Sequence, residues 1–350
     1  MNNLSFYGWD DSLSQLKQIS QYKHLFHGRV STVNRTNYEV LTEMGLQICE
    51  LSGNLLYGTS LFDLPCTGDW VIFQSFDHNR GIIVDILPRK RTLYRRKSGS
   101  VSDKQAIASY IDKAFIVQSL DADFSVRRIE RFMAQLLEEN IQPVLILTKS
   151  DLTNSHNQIN KSLKHIVHQM PIYFTSILYP DTIVSVQKSI KQGESIVLVG
   201  SSGVGKSSLI NALCEHSVFL TAEISSSTGK GRHTSTRRAM VLMDKGGVLI
   251  DTPGVREFGL ASENSEILTD IFDLDGFTAS CRFDDCTHTE EPGCKVVEAV
   301  NNGLLELEVY TSYLKLRKES WCFSASEHEK RKRDKSFARI SDEAKRIKKR

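Results

Sequence analysis

Residues 200–208 read G-S-S-G-V-G-K-S-S, a spacing suited to holding phosphate. Gly200, Gly203 and Gly205 let the backbone curl so that several N–H groups face one point. A helix N-terminus behind the loop would add partial positive charge there. In a loop made of Gly200, Ser201, Ser202, Gly203, Val204, Gly205, Lys206, Ser207 and Ser208, Lys206 would reach the β- and γ-phosphates. The Ser207 hydroxyl would ligate Mg²⁺. The flanks agree: apolar residues 196–199 suit a strand, and Leu209-Ile210-Asn211-Ala212-Leu213 suits a helix. The chain is expected to bind a nucleoside triphosphate.

The base is addressed upstream. Thr148-Lys149-Ser150-Asp151 follows the apolar run 143–147 and is a variant of the N-K-x-D element of GTPases, with Thr148 in place of Asn. A carboxylate at Asp151 would accept hydrogen bonds from guanine N1–H and its exocyclic amine. Adenine offers a bare acceptor and no amine there, so it would leave the charge unpaired. The stem of Lys149 can lie along the base, and the Thr148 hydroxyl can bond nearby backbone.

Downstream, Val248-Leu249-Ile250 leads into Asp251-Thr252-Pro253-Gly254, a D-x-x-G element. Asp251 would hold Mg²⁺ through water, and the Gly254 N–H would meet the γ-phosphate. Between these elements the polar residues 225–236 suit a first switch segment, with Thr234 and Thr236 as alternative Mg²⁺ ligands. Val255 stands where many GTPases carry a water-orienting Gln. Hydrolysis must then wait for a partner or use another side chain, for which His233 is the candidate. The order is base element, phosphate loop, first switch, second switch. Ordinary GTPases place the base element last, so the pattern is that of a circularly permuted domain, in which only connections change.

The remaining elements must position these residues. A chain of 350 residues with 40% hydrophobic and 25% charged residues suits several globular domains. No apolar run approaches the roughly 18 residues of a membrane span. The first residues lack the basic-then-apolar pattern of an export signal, so a cytoplasmic location is expected. Seven cysteines, three of them scattered at Cys49, Cys66 and Cys214, argue for reduced thiols. Residues 1–25 suit a lead-in helix. Short alternating runs at 28–33, 38–41, 68–73 and 81–87 suit a small closed barrel, of which the OB-fold is the commonest of this size. The strip 88–97 carries six basic residues, one aromatic (Tyr94) and no acid; it reads as a linker or as a strip against a nucleic-acid backbone. Strand–helix alternation then returns, with strands at 114–117 and 172–174 and an amphipathic helix over 125–138.

Cys281, Cys286, His288 and Cys294 form a C-x4-C-x-H-x5-C cluster within 14 residues. Three thiolates and an imidazole suit tetrahedral Zn²⁺ with no open position, hence a structural site. An Fe–S cluster is the lesser alternative, because all-cysteine ligation is usual there. Residues 328–350 hold eleven Lys/Arg against four Asp/Glu, on a chain whose net charge is only +2. Beside a barrel, a basic strip and a zinc knuckle, RNA is the preferred partner for this tail, ahead of a membrane surface.

Taken together, these motifs resemble the ribosome small-subunit-dependent GTPase A family (RsgA, also called YjeQ). The likeness spans residues 26–350 and rests on Gly68-Asp69-Trp70, Leu87-Pro88-Arg89, 148–151, 200–208, Gly231-Arg232-His233-Thr234, 251–254 and the Cys/His cluster. It implies a multidomain α/β chain: lead-in 1–25, an OB-fold β-barrel with basic linker over 26–98, a circularly permuted P-loop GTPase domain over 99–262, a zinc-binding helical domain over 263–325 and a basic tail over 326–350. It further implies late maturation of the small ribosomal subunit, with that subunit and its ribosomal RNA as partners, hydrolysis stimulated by the subunit, and His233 as the catalytic substitute for Gln. Ser235 and Tyr110 depart from the family, which has Thr and often Asn at those positions. A monomer is expected, since no heptad or interface pattern argues against one. A GTP-sensing RNA-binding module with incidental turnover, and a P-loop ATPase or kinase, stand as alternatives.

Overall fold

The computed structural model describes residues 3–60, 63–77, 79–96, 104–153, 156–166, 168–214, 239–244, 246–251, 265–289 and 291–324. Described residues up to 251 form one compact unit, and those from 265 to 324 a second.

The first unit opens with a 3-10 turn, Leu4–Tyr7, and helix α1 (Asp11–Ile19). Asp10 caps α1 by accepting a hydrogen bond from the Leu13 N–H at 2.8 Å. Then come β1 (Phe26–Val33), β2 (Tyr38–Thr42), β3 (Gly45–Leu51), α2 (Gly53–Gly58), β4 (Trp70–Asp77) and β5 (Arg80–Ile86). Their order β1-β2-β3-β5-β4, with β4 pairing back to β1, closes an OB-like barrel. Alternating residues Val30, Val40, Cys49, Val71, Phe73 and Ile83 fill it.

An antiparallel pair of strands, β6 (Leu93–Arg96) and β7 (Lys104–Ala108), follows. Beyond it run β8 (Lys113–Ser119), α3 (Val126–Glu138), β9 (Gln142–Thr148), α4 (His156–Ser162), β10 (Ile172–Phe174), α5 (Pro180–Lys188) and β11 (Ser195–Val199). The unit ends with α6 (Lys206–Leu213), β12 (Ala239–Leu242) and β13 (Val248–Asp251). These strands align as β10-β9-β8-β11-β13-β12, parallel except for β12. Strands β8, β11 and β13 are buried along their whole length, as parallel strands covered on both faces must be.

The barrel and this sheet are joined by hydrogen bonds. Thr32 of β1 stands opposite Ala239 of β12, and Ala239 opposite Asp251 of β13. Beside this seam the Arg29 guanidinium is fully buried, and burial pulls its pKa down to about 10. It donates to the Gly68 carbonyl at 3.0 Å, the Ser195 hydroxyl at 2.8 Å, the Tyr110 carbonyl at 3.3 Å and the Tyr7 carbonyl. The Trp70 ring lies 5.5 Å from it. Asp69, also buried, takes Arg89 on both carboxylate oxygens, with the Ser109 hydroxyl and the Cys66 N–H completing its shell. Gly68 has φ 96°, and a Cβ there would stand 2.4 Å from the Ser109 carbonyl oxygen, so only glycine fits.

Within the strip 88–97 several of the described basic side chains have partners. Part of it is strand β6, Arg89 is spent on Asp69, Arg91 on Asp112 at 2.7 Å, and the Lys90 ammonium donates to the Ser12 hydroxyl at 2.8 Å. Tyr110, a departure from the family pattern, sits at φ 54°, where asparagine is the better tolerated residue. Its ring is buried with Leu4, Leu13 and Trp70, and its hydroxyl donates to the Pro88 carbonyl at 2.6 Å. Packing and that bond offset the backbone cost. Cys49, Cys66 and Cys214 are buried free thiols.

The second unit holds α7 (Ser265–Ile271), α8 (Asp275–Thr278), α9 (Lys295–Asn301) and α10 (Leu307–Ser324). Leu268, Phe272, Val296 and Tyr313 are buried in it, with the Phe272 and Tyr313 rings edge to face at 5.8 Å. Among the described residues no helix is long and apolar enough to cross a membrane. The basic tail over 326–350 lies outside the described residues.

Candidate nucleotide site and metal centre

The phosphate loop leaves the end of β11. Gly200, at φ 151°, passes so close to β8 that a Cβ would stand 2.3 Å from the Val117 carbonyl oxygen. Val204 turns inward to the core between β11 and α6, which anchors the loop's middle. Gly205, at φ 94°, is the N-cap of α6, and no side chain caps that end. The helix therefore presents its N-terminus toward the loop, the arrangement anion binding requires. The Lys206 ammonium folds over the loop and donates to the Gly200 and Ser201 carbonyls at 2.8 and 2.7 Å. Ser207 and Ser208 occupy the first turn of α6. Asp251, 2% exposed, ends β13 in register with Leu198, beside the point where β11 enters the loop. Gly254, His233, Thr234 and Thr236 lie outside the described residues.

The T-K-S-D element leaves the end of β9, two strands away. Thr148 donates its one hydroxyl hydrogen to the Val204 carbonyl at 2.6 Å, tying the element to the phosphate loop. Lys149 adopts φ 55°, a left-handed turn into the 3-10 turn Ser150–Leu152. Its ammonium pairs with Asp121 at 2.8 Å, on the loop after β8. Burial alone would raise the Asp121 pKa, but hydrogen bonds from Lys149, the Asp123 N–H and Ser119 hold it below the usual carboxylate value. The Asp151 carboxylate accepts from the Ser176 hydroxyl, in the loop after β10. The Ser150 N–H donates to the Thr175 carbonyl at 3.1 Å. Residues 148–151, 175–176 and 200–208 thus converge at the C-terminal ends of β9, β10 and β11, where open α/β sheets place their ligands. Sequence reasoning missed Asp121. Its only signal was an acidic residue two places past the strand ending at Ser119.

In the second unit Cys281, Cys286, His288 and Cys294 bring one ligand atom each to within 4.8 Å of one another. His288 Nδ1 lies 3.6 Å from both the Cys281 and the Cys294 sulfurs. Around one ion with Zn–S of ~2.3 Å and Zn–N of ~2.0 Å, a tetrahedral S···N edge is ~3.5 Å, so the donor set fits. The Lys295 N–H points at the Cys281 sulfur at 3.4 Å, and the Tyr310 hydroxyl holds the His288 carbonyl at 2.7 Å. Glu291 is pulled down to about 2 by hydrogen bonds from Thr287, whose N–H and hydroxyl it accepts, with the Thr289 N–H adding a third. It braces the turn that carries His288.

Comparison with known proteins agrees with this geometry. A profile described as RsgA GTPase matches residues 86–261. A Bacteroides thetaiotaomicron protein named small ribosomal subunit biogenesis GTPase RsgA 1 is 62% identical over 347 residues, 99% of this chain and 98% of that one. The crystal structure of YjeQ from Thermotoga maritima superposes with a TM-score of 0.64 at 26% identity, covering 84% of this chain and 98% of that one. YloQ, a circularly permuted GTPase, shares the fold with a TM-score of 0.61 at 23% identity, over 87% of this chain and 98% of its own. With a T-K-S-D element that precedes the glycine-rich loop in sequence and meets it in space, and with a relative alike over nearly its whole length, the chain belongs to the RsgA GTPase family.

Proposed function

We propose that this chain hydrolyses GTP as a biogenesis factor of the small ribosomal subunit, with hydrolysis stimulated by that subunit and coupled to release from it. The observation that carries the reading is the Thr148–Val204 hydrogen bond, which joins a base-reading element to a phosphate loop. Asp151 takes the guanine N1–H and amine, with Lys149 and Ser150 beside the base. Gly200 to Ser208 take the phosphates, Lys206 exchanging two backbone carbonyls for phosphate oxygens as nucleotide enters. Ser207, Asp251 and either Thr234 or Thr236 would hold Mg²⁺, which when bound neutralises charge on the β- and γ-phosphates. The Gly254 N–H meets the γ-phosphate, and His233 orients the attacking water in place of Gln. Cys281, Cys286, His288 and Cys294 hold one structural Zn²⁺. The protein acts as a cytoplasmic monomer that contacts ribosomal RNA.

The test is steady-state GTP hydrolysis with and without purified small subunits, with large subunits and ATP as controls. Stimulation by small subunits alone, specific for GTP, is expected. Tight GTP binding without stimulation would replace the reading by a GTP-sensing RNA-binding module, as Val255 in the usual glutamine position would suit. A preference for ATP would remove the role given to Asp151. His233→Ala should spare binding and lower the stimulated rate.

A further inference from the structure

We propose that Asp121 is a positioning residue for guanine recognition, holding Lys149 so that its stem forms a fixed wall of the base site. The inference rests on the reading of residues 148–151 as the guanine element. Lysine is an awkward wall: its four-carbon stem has many rotamers, and ordering it on binding costs affinity. Here it is held at both ends. Its backbone is fixed in a left-handed turn at φ 55°, between β9 and the 3-10 turn. Its ammonium lies 2.8 Å from Asp121 Oδ2. The carboxylate is itself immobilised, because Oδ1 accepts from the Ser119 hydroxyl at 2.8 Å and from the Asp123 N–H at 3.0 Å.

An exposed ion pair of two flexible side chains contributes little. This pair differs on two counts. Both side chains are about two-thirds covered, at 28% and 31% exposure. The carboxylate keeps its rotamer without the lysine, so the pair costs only the ordering of Lys149. The topology supplies the reason Asp121 can reach: Ser119 and Thr148 are register partners on neighbouring parallel strands, so the two following loops run side by side. Thr148 itself contributes a single donor, already given to Val204. The Leu120 N–H donates to the Thr148 carbonyl at 2.9 Å, and Asp121 holds the next residue of the element, Lys149, on the same β8 side.

The test compares full-length wild type with Asp121→Asn, Asp121→Ala and Asp121→Glu, measuring GDP affinity, KM and kcat for GTP, and thermal melting. The Asn and Ala variants are expected to raise KM and the GDP dissociation constant about three- to tenfold, with kcat within twofold and melting unchanged. Asp121→Glu should recover part of the affinity. At 1 M salt wild type should approach the Ala variant, because the pair is screened. Affinities within twofold of wild type for both Asn and Ala variants would overturn the proposal. So would a loss shared equally by kcat and melting, which marks a purely structural role. Asp151→Asn is the control for the underlying reading: it should weaken GTP and favour xanthosine triphosphate, whose C2 carbonyl accepts from an amide. If that variant leaves base preference unchanged, the guanine reading falls and this inference with it. If preference shifts while the Asp121 variants are silent, only the inference falls.

Discussion

Thr148 carries one hydroxyl, and that hydroxyl spans the two parts of the candidate nucleotide site. It is 7% exposed and donates to the carbonyl of Val204, the residue that anchors the phosphate loop in the core. Thr148→Val keeps the branched shape and leaves that carbonyl without its donor, at a cost of about 1–3 kcal/mol. The expected outcome is a melting temperature lower by roughly 2–4 °C per kcal/mol, with weaker GDP binding, while Thr148→Ser stays close to wild type. Calorimetric melting with and without GDP checks both. If Thr148→Val binds GDP as wild type does, the bond is incidental to the site. At this scale much was legible: the phosphate loop, the T-K-S-D run and the Cys/His cluster are each contiguous, and their spacing alone expresses their chemistry. Asp121, Asp69 and Arg29 were not legible in the same way. Arg29 and Asp121 depend on partners 39 and 28 residues away, and although Asp69 stands in the Gly68-Asp69-Trp70 motif, its partner Arg89 lies 20 residues on.

At the scale of elements, alternation and apolar runs located most strands, because β8, β11 and β13 are buried along their length and the barrel strands alternate. The pairing of β1 with β12 was not readable, since the two are separated by almost the whole unit and pair through backbone groups that every residue carries. The lead-in helix α1 is tied to β1 by a titratable contact. The Lys17 ammonium donates to His27 Nδ1 at 3.0 Å, the Trp9 ring covers His27 with centroids 4.0 Å apart, and His27 Nε2 is buried without a hydrogen-bond partner. Burial, and then the Lys17 charge, push the His27 pKa down to about 4. The folded state therefore keeps His27 neutral, whereas the unfolded chain protonates it near 6.5. Its contribution is intact above about pH 6.5 and is lost as pH falls toward 4. Melting temperature against pH should drop more steeply over that window in wild type than in His27→Gln. Parallel curves would show that the contact does not titrate.

For the whole molecule, the division into two units separates the candidate nucleotide residues from the candidate metal ligands. All four ligands lie between 281 and 294, in the second unit, where Leu268, Phe272, Val296 and Tyr313 are buried among the described residues. The stretch that carries the ligands is polar, and burial pushes the Cys286 thiol up to about 11. A metal held by this cluster would add its binding free energy to the folding of this unit, and less of it as pH falls, because the ligands must be deprotonated to bind. The first unit has its own parallel-sheet core, around Phe115, Ile146, Leu198 and Leu249. Treating the full-length protein with a strong chelator at neutral pH should release one Zn²⁺ per chain and strip hydrogen-exchange protection from 265–324. Protection of β8, β9 and β11, and GDP affinity, should persist. Cys294→Ser should reproduce the loss without chelator. Unchanged protection of 265–324 after metal release would show that its helices hold without the ion. Loss of GDP binding would show that the two units are coupled through the metal, and either result would require a different account of how the chain is assembled.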